Sequence, residues 1–326
     1  MRAWRSTTAG IGGLALADVP RPVPGRAEVL VRVEAAALNF SDVLMIDDRY
    51  QIRPERPFVP GQEIVGTVVA AGRDTDFVVG ERVASKVTIG GLAEFAAVRG
   101  DMGMRAPPEL SPEAAAALPV VYTTAMVALT ECTVLEPSES VLVLAAAGGV
   151  GLAAVEIARH LGARVIAAAG GAEKCALARA HGAHEAVDYR DDGWADAVKP
   201  LTGGHGVDVI VDPVGGAHCK AALRLMNWDA RLLLVGFSSG EIPQIPGNRL
   251  LLRRARAIGV YWSHDRDGPM LARVANRLSE LATIGAIRPH VGAVYAFEDL
   301  PRALAALAAR ETVGKVVLRV AQERSR

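Results

Sequence analysis

Cysteine is scarce in this 326-residue chain: Cys132, Cys175 and Cys219 are the only three. They are far apart and odd in number, which argues against a disulfide framework and fits a reducing cytoplasm. Net charge is lacking too. Lys and Arg total 36, Asp and Glu also total 36, so the basic excess of a polyanion-binding protein is missing. The seven His are scattered, with no metal-like tract. No uncharged apolar run reaches the roughly 20 residues of a membrane span. The longest, Val141 to Val155, is ended by Glu156 and carries Gly148, Gly149 and Gly151. The opening MRAWRSTTAG lacks the apolar core of a signal peptide. Together these absences lead us to expect a cytoplasmic protein with no nucleic-acid or membrane partner.

What is present is core material. Hydrophobic residues make up 51% of the chain, too many for a disordered segment, and the length suits two domains at about 150 residues each. Up to about residue 118 the texture is β-like: EVLVRVEAA (28–36), EIVGTVVAAG, ERVASKV and EFAAVRG alternate or cluster apolar residues. DVPRPVPGRAE and RPERPFVPG read as turn-rich loops. The one early helical candidate is Asn39 to Met45. From Ser111 the pattern changes. SPEAAAALP places Ser at an N-cap and Pro at the first helical position, and a helix over Tyr122 to Thr130 follows.

Strands and helices then alternate. The predicted strands are Ser140–Ala145, Arg164–Ala169, Ala186–Asp188, Val207–Asp212, Arg231–Val235 and Ala257–Tyr261, with helices starting near Gly149, Glu173, Trp194 and Gly216. Near-continuous apolar strands alternating with helices predict a doubly wound parallel sheet, an α/β fold. A helix (Met270–Ile284), a strand (Val291–Ala296), a helix (Phe297–Arg310) and a last strand, KVVLRV, complete the chain; periodicity alone assigns this tail to neither half.

Between the first strand and helix of the alternating part stands Ala146-Ala147-Gly148-Gly149-Val150-Gly151. Glycines there let a backbone approach a pyrophosphate seated on the helix N-terminus. The first glycine of the usual dinucleotide motif is replaced by Ala146, and a glycine-rich packing turn is the alternative. An NAD site also wants Asp or Glu at the end of the second strand, for the ribose 2′-hydroxyl. Here the strand ends Ala169-Gly170-Gly171, and Glu173-Lys174 lies already in the helix. A missing acid and a nearby cation favour a 2′-phosphate, hence NADPH, unless Lys174 is only a solvated helix residue.

The motifs ALNFSDVLM (37–45), PFVPGQEIVGTV (57–68), YTTAMVAL (122–129), AAAGGVG (145–151), VDPVGG (211–216), LLVGFSSGEIPQIPGN (233–248) and VGKVVLRV (313–320) together resemble the zinc-independent quinone oxidoreductases of the medium-chain dehydrogenase/reductase superfamily. The resemblance covers nearly the whole chain. It implies a GroES-like β-barrel domain over 1–118, to which 262–326 returns, and a Rossmann NADP-binding domain over 119–261. It also implies a homodimer, and RAIGVYW (256–262) reads as an apolar edge strand open to pairing.

Zinc-dependent relatives carry a Cys near position 39, a His-Glu pair after Gly61 and four Cys near 90–105. This sequence has Asn39, Gln62-Glu63 and no Cys in that stretch, so no metal site is expected.

The resemblance assigns roles residue by residue. Asn39 would lie near the nicotinamide and substrate, although it also suits the cap of its short helix. Tyr50 would line the substrate site, and Thr124 would touch the cofactor; these two and Asn39 are the catalytic candidates. Tyr50 and Tyr122 also read as plain packing aromatics. Ala147, Gly148, Gly149, Val150 and Gly151 would hold the pyrophosphate. Gly170, Gly171, Lys174 and Tyr189 would surround the adenosine 2′-phosphate. Relatives often have serines at the two glycines, and Arg190 is a candidate to compensate for their loss. Val214, Gly236, Phe237 and Ser238 would flank the nicotinamide, and Lys315 would reach the cofactor from the tail. The implied activity is NADPH-dependent reduction of a quinone or α,β-unsaturated carbonyl compound. Enoyl-thioester reduction and a non-enzymatic NADPH-binding or redox-sensing role are the alternatives.

Overall fold

The computed structural model describes residues 1–320; the last six residues of the returning segment, 321–326, lie outside it. Strands β1 (Arg2–Ser6) and β2 (Leu14–Asp18) pair antiparallel. The alternating stretch EVLVRVEAAAL forms β3 (Glu28–Leu38), followed by helix α1 (Phe40–Ile46), β4 (Glu63–Ala71), β5 (Arg82–Lys86), β6 (Phe95–Arg99) and β7 (Gly103–Arg105). Helix α2 (Pro112–Ala116) starts as its sequence predicts, with Ser111 Oγ accepting from the Ala114 N–H. Helix α3 (Val121–Met126) is shorter than the predicted helix over 122–130. Val127–Glu131 continue as a single π turn, closed by Cys132 N–H to Val127 O at 2.8 Å, a change of ring size that hydrophobic spacing does not encode.

The alternating part follows as β8 (Ser140–Leu144), α4 (Gly149–His160), β9 (Arg164–Ala169), α5 (Ala172–Ala180), β10 (Glu185–Asp188), α6 (Trp194–Leu201), β11 (Val207–Asp212), α7 (Gly216–Ala222), β12 (Met226–Leu234), α8 (Gly247–Leu251) and β13 (Arg256–Gly259). All six strands are parallel, in the order β10-β9-β8-β11-β12-β13. Val141, Leu142, Val143 and Leu144 of β8 are fully buried, as a sheet covered on both faces requires. The β12 strand begins five residues before the predicted Arg231. Its polar first half, Met226-Asn227-Trp228-Asp229, hides the strand from a pattern search, and the ladder register shifts there. β13 ends at Gly259 rather than Tyr261, whose side chain is exposed.

Helix α9 (His264–Thr283) starts six residues before the predicted Met270 and runs through Gly268-Pro269, a pair that ordinarily marks a helix boundary. Then come β14 (Val291–Ala296), α10 (Leu300–Ala308), preceded by a 3-10 turn, and β15 (Lys315–Arg319). β15 pairs parallel with β14 and antiparallel with β3, so the tail belongs to the first sheet, whose order is β14-β15-β3-β4-β5-β7 with β6 also on β3.

The chain thus divides into two units. One holds residues 1–120, 267–285 and 289–320; the other holds 121–266 and 286–288. The first has its core around β3, β4, Phe297, Leu300 and Val316. The second has its core around β8, β9, β11 and α7. No helix among the described residues is long and apolar enough to cross a membrane.

Candidate functional site

In the second unit the glycine turn joins β8 to α4. Ala145 turns the chain with φ +48°, the Gly148 N–H closes on Ala145 O at 2.9 Å, and the helix opens at Gly149 with no side-chain cap on its first N–H groups. Gly151 sits where the helix meets the strand end. A Cβ there would lie 2.2 Å from Ala145 O and 2.7 Å from the Ala146 Cα, so only glycine permits this approach. The uncapped helix start carries the positive end of the helix dipole. Ala147, Gly148, Gly149, Val150 and Gly151 are therefore together in one turn at the start of α4.

At the end of β9 the missing acid has a structural answer. Pairing of β10 with β9 sets Asp188 beside Ala169, and its carboxylate accepts the Gly171 N–H at 2.9 Å. The acid comes from the neighbouring strand, and a cation holds it: Arg190 bonds it through Nη2 at 2.7 Å and through its backbone N–H at 3.0 Å. The Arg190 side-chain bonds hold the Asp188 carboxyl well below the usual carboxylate range. Gly171 has φ +101°, and a Cβ there would meet Arg190 Nη2 at 2.7 Å. A Cβ on Gly170 would meet the Tyr189 ring edge at 3.2 Å. Tyr189 in turn stacks on His218, with ring centroids 4.3 Å apart. Tyr189 and Arg190 thus occupy the space beside Gly170 and Gly171. Lys174 stands half-buried in the first turn of α5. Sequence reasoning misses the placement of the Asp188–Arg190 pair beside Gly171.

Val214, Gly236, Phe237 and Ser238 are also brought together. Buried Asp212, at the end of β11, accepts the Val214 and Gly215 N–H groups at 2.8 and 2.9 Å. The Ser238 N–H reaches Pro213 O at 3.1 Å, and the Ser239 N–H reaches Val214 O at 2.9 Å. Burial, with Asp212 alongside, raises the Cys219 thiol above its ordinary range, which makes it unreactive. Thr124 Oγ1 accepts from the Trp262 indole at 3.1 Å. Tyr122 is a buried structural residue, donating to Glu156 at 2.7 Å, and His181 Nδ1 lies 2.6 Å from the other oxygen of Glu156.

In the first unit, Asn39 and Lys315 meet at a buried polar cluster. Lys315 Nζ donates to Leu38 O at 2.9 Å, Asn39 Oδ1 at 2.8 Å and Glu63 Oε2 at 2.7 Å. Glu63 Oε2 also accepts from Asn39 Nδ2 at 3.0 Å, and its Oε1 accepts the Val120 N–H at 2.7 Å. Ser41 donates to Gln62. The sequence does not connect Glu63 with Lys315. Lys315 spends all three donors inside this unit. Tyr50 is half-buried in the bend after α1 and takes no part in the bonds just described. Among the described residues, no group of three or more His, Cys, Asp or Glu could hold a metal ion.

Asp42 completes the cluster. It is fully buried; one oxygen accepts the Asn39 N–H at 2.8 Å, and the other has no partner among the described residues. Burial pushes its carboxyl up to about 7, against the pull of the Asn39 N–H and Lys315. The folded value lies above the ordinary 3.8. The stability it contributes is therefore full below that ordinary value and is lost as pH rises through about 7. Asp42→Asn is expected to remove this slope, gaining on the unmodified protein by on the order of 3–4 kcal/mol across the window. Urea unfolding of both proteins at acid and at mildly alkaline pH measures the difference; parallel pH profiles would refute it.

A sheet unit closed by its own C-terminal strand, together with a doubly wound unit carrying a glycine turn, is the architecture of a medium-chain dehydrogenase or reductase. An alcohol dehydrogenase GroES-like domain model matches residues 25–108, and a zinc-binding dehydrogenase model matches residues 149–277. The chain is 39% identical to quinone oxidoreductase-like protein 2 of Bos taurus over 303 residues, 92% of this chain and 86% of that protein. It is 31% identical to the quinone oxidoreductase of Sus scrofa over 92% of each chain. Among solved structures, the quinone oxidoreductase of Thermus thermophilus, also solved with NADPH, is 38% identical (TM-score 0.84; 98% of this chain, 100% of that one). The Escherichia coli quinone oxidoreductase in complex with NADPH is 26% identical (TM-score 0.90, the same coverage). The chain belongs to the quinone oxidoreductase family of the medium-chain dehydrogenase/reductase superfamily.

Proposed function

We propose that the protein reduces a quinone or an α,β-unsaturated carbonyl compound with NADPH. The carrying observation is the end of β9. The acid there, Asp188, is held by Arg190, which lies over Gly171, so the carboxylate is paired with a cation where an NAD site presents a free one. The residues fit the cofactor in two further respects. The Gly151 contact leaves no room for a side chain, as a pyrophosphate turn requires. The relatives from Thermus thermophilus and Escherichia coli were solved with NADPH.

On this reading Ala147 to Gly151 hold the pyrophosphate, and Lys174, Tyr189 and Arg190 face the 2′-phosphate beside Gly170 and Gly171. Thr124, Val214, Gly236, Phe237 and Ser238 shape the nicotinamide end, and Tyr50 lines the acceptor's place. When bound, NADPH supplies a hydride. Asn39 donates a hydrogen bond to the nicotinamide or to the acceptor carbonyl. The ligand positions of zinc-dependent relatives hold Asn39 and Gln62, so polarisation falls to hydrogen bonds, which suffices best for conjugated carbonyls. Enoyl-thioester reduction uses the same chemistry on a larger substrate.

Following NADPH oxidation with a panel of quinones, free enones, their CoA thioesters and, in reverse, simple alcohols tests this. Quinones or enones should be turned over, with deuterium from C4-labelled NADPH found on the enone β-carbon. Good oxidation of simple alcohols, with enones and quinones untouched, would defeat the proposal. NADPH should bind about tenfold tighter than NADH, the low end for one charge-assisted contact, and Lys174→Ala should narrow that gap.

We also propose a homodimer through β13. That strand is the sheet edge, and Leu251, Leu252 and Tyr261 near it are 79%, 70% and 77% exposed, an open apolar edge of the kind that pairs. Sedimentation at micromolar concentration should show a dimer; a monomer alone would rule it out.

A further inference from the structure

The buried trio Lys315, Glu63 and Asn39 has a property that neither pairing nor burial alone requires. The side-chain amide of Asn39 lies between a cation and an anion, with Oδ1 on the Lys315 ammonium and Nδ2 on the Glu63 carboxylate. Flipping the amide would set Nδ2 against the ammonium and Oδ1 against the carboxylate, both repulsive. One orientation is therefore imposed by charge. In it, one Nδ2 proton is taken by Glu63, and the second is left without a partner inside the cluster. The ammonium on Oδ1 withdraws electron density from the amide, which strengthens that second N–H as a donor. Asn39 is 7% exposed, against 4% for Lys315 and 0% for Glu63, so of the three it lies nearest the surface of the cluster.

We propose that Glu63 and Lys315 are positioning residues for Asn39: they fix its amide and sharpen its outward N–H, and Lys315 touches neither cofactor nor acceptor itself. This deepens the reductase reading and rests on it, since that reading gives Asn39 a hydrogen bond to the reacting groups. It differs from the direct cofactor contact that family resemblance implies for Lys315. All three of the lysine's donors are already accepted, by Leu38, Asn39 and Glu63, so a direct contact would have to break a buried bond. It also differs from a purely structural ion pair, which would be indifferent to which way the Asn39 amide faces.

A double-mutant cycle separates these possibilities. Lys315→Met alone strands a buried carboxylate and risks the fold, so the main variant is the charge-free pair Glu63→Gln with Lys315→Met, made in the unmodified protein and in Asn39→Ala. In the unmodified background the pair should lower kcat by about tenfold or more, the usual effect of removing groups that orient a reacting one. In Asn39→Ala the same pair should change kcat by less than about twofold, because residues that act as one unit are not additive.

Two readouts do not depend on turnover. Calorimetry with 2′,5′-ADP, which lacks the nicotinamide, should give the same affinity in all four proteins. NMR of the ligand-free protein should show the Asn39 side-chain amide protons widely split, with the splitting collapsing in the charge-free pair.

Additive kcat losses, or a loss of NADPH affinity on adding the pair to Asn39→Ala, would mean that Lys315 contacts the cofactor and would overturn the proposal while leaving the reductase reading intact. An unchanged kcat in the unmodified background would reduce the pair to a structural one and also overturn it. If Asn39→Ala itself leaves kcat unaltered, the role given to Asn39 falls, and this proposal falls with it.

Discussion

Asn39→Ala is expected to lower kcat for quinone or enone reduction by about a hundredfold or more while changing NADPH affinity by less than about threefold. A preorganised donor aimed at developing charge is worth roughly 10²–10³ in kcat, and the other proposed cofactor contacts lie in the glycine turn, the β9 end and the Val214 loop. The fold should survive, because Lys315 keeps Leu38 O and Glu63 as acceptors and Asp42 keeps the backbone N–H of residue 39. Steady-state kinetics and calorimetry on the same preparation separate the two quantities. A rise in KM alone, with kcat intact, would show that Asn39 only helps to bind the acceptor.

The split between what sequence revealed and what it concealed follows from how each contact is made. The glycine turn was legible because its glycines stand next to each other in the chain and between a strand and a helix. The strands β8, β9 and β11 were legible because burial on both faces leaves an unbroken apolar run. The Asp188–Arg190 pair over Gly171 was not legible as a unit. It exists because β10 pairs with β9 in a register that sets Asp188 beside Ala169, and register between strands is not written in either strand alone.

The Lys315–Glu63–Asn39 cluster is the stronger case. Its members are brought together by two antiparallel pairings, Val316 opposite Leu38 and Ala36 opposite Ile64. Each pairing carries the next residue along, Lys315 and Glu63, to the end of β3 where Asn39 begins its turn. Family resemblance pointed to Asn39 and Lys315 separately. Only the sheet joins them, and it places the Lys315 ammonium on Leu38 O, Asn39 Oδ1 and Glu63 Oε2. Helix α9 shows the opposite error: the Gly268-Pro269 pair was a sound local stop signal, yet the buried stripe of Leu271, Val274, Leu278 and Leu281 belongs to a helix that starts earlier.

Gly151→Val is expected to remove nucleotide binding and to cost about 3 kcal/mol or more of stability, at the upper end of the usual overpacking range. The first branch point of the new side chain would lie 2.2 Å from Ala145 O and 2.7 Å from the Ala146 Cα. Both are backbone atoms at the end of a fully buried strand, so no side chain can swing aside. Either α4 moves away from β8, which opens the core around Leu142 and Leu144, or the turn at Ala145 deforms, which disperses the N–H groups that would face the pyrophosphate. Both routes damage the same element.

Gly148→Ala is the internal control. Its Cβ would meet only Ala145 O, at 3.3 Å, and its φ of −84° suits any residue. That variant should stay within about 1 kcal/mol of the unmodified protein, so that any loss of NADPH affinity it shows reflects the methyl group in the turn rather than the fold. Thermal unfolding and NADPH titration of the two variants side by side provide the test. Equal stability for Gly151→Val and Gly148→Ala would show that the helix and strand are not locked at Ala145. Retained NADPH affinity in a destabilised Gly151→Val would show that the cofactor is held elsewhere than on this turn.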